Sequence, residues 1–155
     1  MNNLIGIMNY GVAGNIHSVR KALEKAGGNT IVINDPSDFS LVDKVVIPGV
    51  GSFKDAMQEL NDGDFIELLE NFDKPMLGIC LGMQILAKLG FEYGETRGLS
   101  LLDAEVKPIQ CDGKVPHMGF NKIQVVNSNI LLDGIENEEF YFMHSYEMIN
   151  YTNII

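Results

Sequence analysis

Lys74-Pro75-Met76-Leu77-Gly78-Ile79-Cys80-Leu81-Gly82-Met83-Gln84 is the stretch whose reading decides the fold. An apolar run of strand length ends at a cysteine flanked by glycines two positions away, and Leu81, Ile85 and Leu89 then recur at helical spacing. The pattern predicts a short buried strand, a sharp turn and a helix, with the Cys80 thiol carried on the turn. It resembles the Gly-x-Ser-x-Gly elbow, in which two glycines let the chain turn tightly under an exposed nucleophile. At a helix N-terminus the dipole would also favour the thiolate. Taken alone, Cys80 stays open to a second reading, because free cysteine often serves as a small buried hydrophobe. Cys111 lies in a polar loop between Gln110 and Asp112 and is expected to have no catalytic role.

Working outward, Leu4 to Met8 reads as a first buried strand, and Asn9-Tyr10-Gly11-Val12-Ala13-Gly14 leads to a helix capped by Asn15. Ile16, Val19, Leu23 and Ala26 mark that helix's apolar face. Gly27-Gly28 ends it, Thr30 to Ile33 gives a second strand, and Asn34-Asp35-Pro36-Ser37-Asp38 is turn chemistry. Lys44 to Ile47 forms a third strand finishing at Pro48-Gly49-Val50-Gly51. Helices follow on Phe53, Met57 and Leu60 and around Phe65 to Phe72. Strands alternating with helices predict βαβ crossovers, hence an α/β fold with an open, mostly parallel sheet covered by helices on both faces. Ligands bind at the carboxyl ends of such strands, so the Gly49-Val50-Gly51 loop and the Cys80 turn are expected to share one crevice. The second half differs: Ala104 to Ile109, Asn121 to Val126 and Glu139 to His144 read as strands without clear helices between them, an antiparallel extension of the sheet.

The chain has 155 residues, 46% of them hydrophobic, which suits one domain spanning 1–155. Two cysteines make neither a disulfide framework nor a zinc pattern, so a reducing, cytoplasmic setting is expected. The N-terminus lacks the basic start of a signal peptide, and no apolar run has membrane-spanning length. A net charge of -10 argues against nucleic acid, whose phosphates call for clustered Lys and Arg. Gly11-Val12-Ala13-Gly14 lacks the spacing of a dinucleotide loop, and no phosphate-binding Gly-Lys-Ser or Gly-Lys-Thr occurs. His17, His117 and His144 are too scattered to predict a metal site. Neither cofactor nor metal is expected.

Pro48-Gly49-Val50-Gly51, Gly78 to Gln84, Pro116-His117-Met118-Gly119-Phe120-Asn121 and Tyr141-Phe142-Met143-His144-Ser145-Tyr146 occur in an order and spacing that resemble the class I (triad) glutamine amidotransferases. The likeness is nearest to the histidine-biosynthesis branch, the HisH-type glutaminase subunits of imidazole glycerol phosphate synthase, and runs from the first strand to the end of the chain. It implies a flavodoxin-like fold and hydrolysis of L-glutamine to glutamate and ammonia through a thioester on Cys80. It assigns the oxyanion site to Gly49, Val50, Gly51 and the Leu81 N–H. It also implies glutamine binding by Gln84, Glu92, His144, Ser145 and Tyr146. Asn15, Pro116, His117, Phe120 and Asn121 would meet a (β/α)8-barrel synthase subunit of the HisF type, which takes the ammonia.

Two departures qualify the resemblance. The family's general base and its orienting carboxylate lie in a His-Pro-Glu motif well beyond His144, and no His-x-Glu occurs here. The expectation is a C-terminally truncated domain with an apolar face or sheet edge open, and a form with little or no glutaminase activity. The family's Gly-Trp-Asn motif reads Gly119-Phe120-Asn121, which keeps an aromatic but loses an indole donor. A supplier of ammonia to a sugar-modifying amidotransferase, and a non-catalytic glutamine-binding module that docks a partner, therefore stand as alternatives. A cysteine hydrolase with histidine after its nucleophile ranks lower, since Leu81 occupies that place.

Overall fold

The computed structural model describes residues 3–11 and 15–152. The first half alternates as expected: β1 (Leu4–Met8), α1 (Ile16–Lys25), β2 (Asn29–Ile33), β3 (Lys44–Ile47), α2 (Phe53–Asp62), α3 (Ile66–Glu70) and β4 (Met76–Gly78). Asn15 caps α1 by accepting the Ser18 N–H at 3.0 Å. The loop Val12-Ala13-Gly14 lies outside the described residues. The segment read as turn chemistry becomes a 3-10 helix over Pro36–Leu41, opened by a reciprocal cap between Asp35 and Asp38.

The strands form a parallel sheet in the order β2-β1-β3-β4. Winding reverses between β1 and β3, so their carboxyl ends flank the crevice that open α/β sheets use for ligands. The core is aliphatic and aromatic: Ile7, Met8, Ile33, Val45, Ile47, Phe53, Leu60 and Leu69 are all within 1% of full burial. Each contributes roughly 1.5–3 kcal/mol through removal of its side chain from water. The helix α1 buries none of its residues completely, and its predicted face is half-covered at Ile16, Val19 and Leu23 while Ala26 is exposed. Strand β4 is an edge, with Leu77 in it and Ile79 just after it exposed by 47% and 39%. Among the described residues no helix is long and apolar enough to cross a membrane.

After Cys80 the structure departs from the periodicity. The helix α4 covers only Leu81–Gln84, and Ala87–Gly90 is a strand, β5, so Leu89 does not continue a helical face. The carbonyls of Ile85, Leu86, Ala87 and Lys88 accept N–H groups from Leu99, Leu102, Ser100 and Gly98 at 2.8 to 3.2 Å. Those distant donors replace the helical bonds. Phe53 fixes the arrangement, because its ring lies where a Cβ on Gly90 or Gly98 would stand, at 2.6 and 3.0 Å.

The remaining strands are β6 (Thr96–Arg97), β7 (Leu102–Pro108), β8 (His117–Lys122), β9 (Glu139–His144) and β10 (Tyr146–Ile149). They do not simply extend the first sheet. One further sheet runs β10-β7-β5-β6, with β5 and β7 parallel, and β8 and β9 form a separate antiparallel pair. The strand expected over Asn121 to Val126 begins four positions earlier, at His117, because its alternation is set by pairing with β9. Met118 faces Met143 and Phe120 faces Tyr141 on one side of this hairpin, exposed by 55 to 66%.

Candidate active site

The Cys80 turn is assembled by three close backbone approaches. Ile79 N–H donates to the Ile47 carbonyl at 2.9 Å, which seats the strand end on β3. The chain then reverses through Cys80, whose φ of 54° and ψ of -116° are a conformation that L side chains rarely adopt. Met83 and Gln84 N–H close the turn on the Cys80 carbonyl at 3.0 and 3.1 Å. Glycine is obligatory on either side: a Cβ on Gly82 would stand 1.7 Å from the Ile47 oxygen, and one on Gly78 2.5 Å from Met83 Cα. Cys80 is exposed, as a nucleophile must be, so the buried-hydrophobe reading fails. The expected help from the helix dipole is small, since α4 has four residues and therefore few aligned peptides. Among the described residues no hydrogen bond engages the Cys80 thiol.

The end of β3 lies against this turn. A Cβ on Gly49 would meet Gly82 N and Leu81 Cβ, both at 3.0 Å, so the Gly49 backbone touches the first turn of α4. Among the described residues neither the Val50 nor the Leu81 N–H has a backbone acceptor. Gly51 has a φ of 103°, a freedom that glycine alone supplies at no cost. Two free donors beside a cysteine are what a tetrahedral oxyanion requires.

Tyr10 belongs to this arrangement and was not singled out from the sequence. It is buried, and its hydroxyl donates to the Pro48 carbonyl at 2.7 Å. Burial first, and the nearby Cys80 thiolate second, push the phenol above its ordinary value. Only its position between a strand end and Gly11 hinted at a structural part.

A cleft of about 350 Å³ opens above the turn, lined by Val50, Gly51, Cys80, Leu81 and Gln84 on one side. Pro116, Met118, Met143, His144 and Ser145 of the hairpin region form the other. Most of the expected oxyanion and substrate residues thus share one space, with two methionines to which the sequence motifs assign no role. Gly49 lies beneath it. Two wider grooves, of about 560 and 740 Å³, contain neither Cys80 nor any candidate residue.

Glu92 is not among the cleft-lining residues: its Oε2 accepts the Phe53 N–H at 2.8 Å, at the start of α2. The backbone N–H groups of a helix N-terminus attract a carboxylate, which accounts for the placement. Tyr146 likewise lies outside the lining, in β10, where burial and then the Glu92 carboxylate raise its phenol above the ordinary value. The expected partner-facing residues Pro116, His117, Phe120 and Asn121 cluster on or beside β8, whereas the Asn15 oxygen is engaged at α1.

His117 and His144 are joined. His144 Nδ1 lies 2.8 Å from the Tyr146 carbonyl, which can only accept, so that nitrogen carries the proton. In the neutral ring its Nε2 then accepts from His117 Nδ1 at 2.9 Å, and His117 Nε2 accepts from the Asn121 amide at 2.8 Å. Phe142 stacks on His117 with ring centres 5.3 Å apart. The result is a directional chain, Asn121 to His117 to His144 to the backbone. Both His144 ring nitrogens are committed to it, so His144 does not serve as a base for Cys80. His17 stands exposed on α1. Among the described residues no three His, Cys, Asp or Glu side chains gather as metal ligands.

The Glutamine amidotransferase class-I family matches residues 9–154. The chain belongs to the class I glutamine amidotransferases. Relatives within this family include the imidazole glycerol phosphate synthase subunit HisH 1 of Campylobacter jejuni strain 81-176, 42% identical over 150 residues, covering 92% of this chain and 74% of that protein. The HisH subunits of Geobacillus thermodenitrificans and Archaeoglobus fulgidus are each 44% identical, over 94% of this chain and 72% and 73% of theirs. Among solved structures, one titled glutamine amidotransferase superimposes with a TM-score of 0.70 at 17% identity, over 90% of this chain and 70% of the other. A GMP synthase component from Thermoplasma acidophilum gives 0.70 at 22%, over 99% and 70%. These two likenesses establish the α/β fold of the family in this chain.

Proposed function

We propose that this class I glutamine amidotransferase is the glutaminase subunit of an imidazole glycerol phosphate synthase, acting in the cytoplasm on L-glutamine and passing ammonia to a HisF-type (β/α)8-barrel subunit. The observation that carries the reading is the strained, exposed Cys80 beside the unpaired N–H groups of Val50 and Leu81. The Cys80 thiolate attacks the side-chain amide carbon of glutamine, a C–S bond forms, and the negative charge moves to the carbonyl oxygen. Val50 and Leu81 N–H hold that oxygen. The amide nitrogen takes a proton from solvent water, the C–N bond breaks as the carbonyl re-forms, ammonia leaves, and a second water adds to the thioester carbon, freeing glutamate and returning the thiol. Gln84 and Ser145 orient the substrate from opposite walls of the cleft. Glu92 offers its carboxylate toward the substrate ammonium from beside Tyr146. The exposed face of Met118, Phe120, Tyr141 and Met143 meets the barrel together with Pro116 at the start of the hairpin, while His117 and Asn121 lie on its other face and Asn15 is a separate contact.

A second reading, a glutamine-binding module that docks without turnover, is favoured by one observation: His144, the histidine in the cleft, has both ring nitrogens engaged. Incubation with labelled glutamine, with and without a HisF-type barrel and its ribotide substrate, separates the two. Label trapped as a thioester on Cys80, with glutamate released only slowly in the absence of a general base, is the expected result. Glutamine binding with no label on Cys80 would sink the glutaminase reading in favour of the module.

A further inference from the structure

We infer that Tyr10 is a positioning residue that anchors the oxyanion strand through its hydroxyl, an inference resting on the glutaminase reading. Tyr10 follows β1, and the strand end it holds follows β3, so one hydrogen bond ties together the two sides of the crevice where the winding reverses. Its hydroxyl donates to the Pro48 carbonyl at 2.7 Å. A trans peptide is planar, so holding that oxygen also fixes the direction of the Gly49 N–H on the other side of the same unit. The next N–H along the chain belongs to Val50, the proposed oxyanion donor.

The surroundings make this hold specific. Tyr10 is 3% exposed, so water does not compete for the Pro48 oxygen. A Cβ on Gly49 would stand 2.7 Å from the Tyr10 hydroxyl, so the phenol occupies space that only glycine leaves open. At the far end, Gly51 with its φ of 103° has nothing within 4 Å of the position its Cβ would take, and Val50 is 58% exposed. The oxyanion strand is thus fixed at Pro48 and loose at Gly51. Burial and the adjacent thiolate keep the phenol protonated, so it remains a donor through the cycle of charge on Cys80.

The test uses the whole chain and a γ-glutamyl p-nitrophenyl ester, whose leaving group departs without needing a proton yet forms the same tetrahedral oxyanion. Tyr10→Phe keeps the ring and deletes the hydroxyl. The expected result is a burst rate about tenfold lower, with unchanged half-saturation by the ester. The rate of Cys80 alkylation by iodoacetamide, which builds no oxyanion, stays the same. A burst equal to wild type overturns the inference, as does a parallel fall in alkylation, which would place the effect on the thiolate or on general packing. A wild-type chain that gives no burst dependent on Cys80 overturns the glutaminase reading and this inference together. Independent of how well the single variant folds, the burst defect of Gly49→Ala is expected to be smaller in a Tyr10→Phe background, where the clashing oxygen is gone. Strict additivity would count against the anchor.

Discussion

Gly82 rests directly against the backbone of Ile47, with the position of a Cβ only 1.7 Å from the Ile47 carbonyl oxygen. That contact joins the end of the third strand to the first turn after the nucleophile, and it leaves no room for adjustment because the obstacle is main chain. Gly82→Ala is therefore expected to destabilise the fold by about 3 kcal/mol, at the upper end of overpacking costs. Chemical denaturation read by circular dichroism checks it, and a variant within about 1 kcal/mol of wild type on that scale would refute it.

Cys80 sits at positive φ because the site requires it there, and the strain is of order 1–3 kcal/mol. Cys80→Gly should raise the melting temperature relative to Cys80→Ser, which keeps the strain, while both variants lose acylation by glutamine. Equal melting temperatures would show that the turn is relaxed.

Reversing the donor at the outer end of the histidine chain should reverse its protonation. Asn121→Asp places a carboxylate acceptor opposite His117 Nε2, so that this nitrogen has to carry a proton in the variant. Nitrogen NMR of the imidazoles is expected to show the proton on His117 Nε2 in the variant and on Nδ1 in the wild type. The same His117 nitrogen protonated in both proteins would mean the chain is not directional.

The Tyr10 phenol has a raised pKa in the folded state, so its contribution to stability is full below the ordinary tyrosine value and is lost as pH rises through the folded one. Wild type should lose stability faster than Tyr10→Phe as pH is raised above about 10, the unperturbed tyrosine range. Denaturation midpoints measured in parallel from neutral to strongly alkaline pH test this. Parallel curves would contradict a buried, un-ionised phenol.

Phe120 is 66% exposed and pairs edge-to-face with Tyr141, ring centres 5.1 Å apart. Phe120→Ala is expected to weaken binding to a HisF-type barrel by about 2 kcal/mol, the loss typical of an aromatic anchor, with little change in melting temperature. Calorimetric titration gives the answer, and unchanged affinity would move the interface elsewhere.

Much of the site was legible because its residues are constrained locally. Gly78, Cys80 and Gly82 announce a turn through spacing alone, and Asn15 announces a cap. The short α4 was not legible, since Leu81, Ile85 and Leu89 fit a helix and what ends it is a set of bonds to residues 98–102, distant in sequence. The bonds that Glu92 and Tyr10 make were not legible for the same reason: the Phe53 N–H and the Pro48 carbonyl that meet them lie 39 and 38 positions away. The register of β8 likewise depends on β9, whose pairing no local pattern encodes.

Met118 and Met143 face each other across the hairpin, are exposed by 57% and 62%, and border the cleft that holds Cys80, which is exposed as well. Three sulfur atoms are consequently open to the same solvent. Peroxide would convert a flexible apolar wall into polar sulfoxides and carry the thiol toward sulfenic acid, so one oxidant would alter pocket, hairpin face and nucleophile together. Reductant restores only the reversible thiol products, whereas the sulfoxides need a reductase, and a preparation stored in air would recover its nucleophile without recovering its walls.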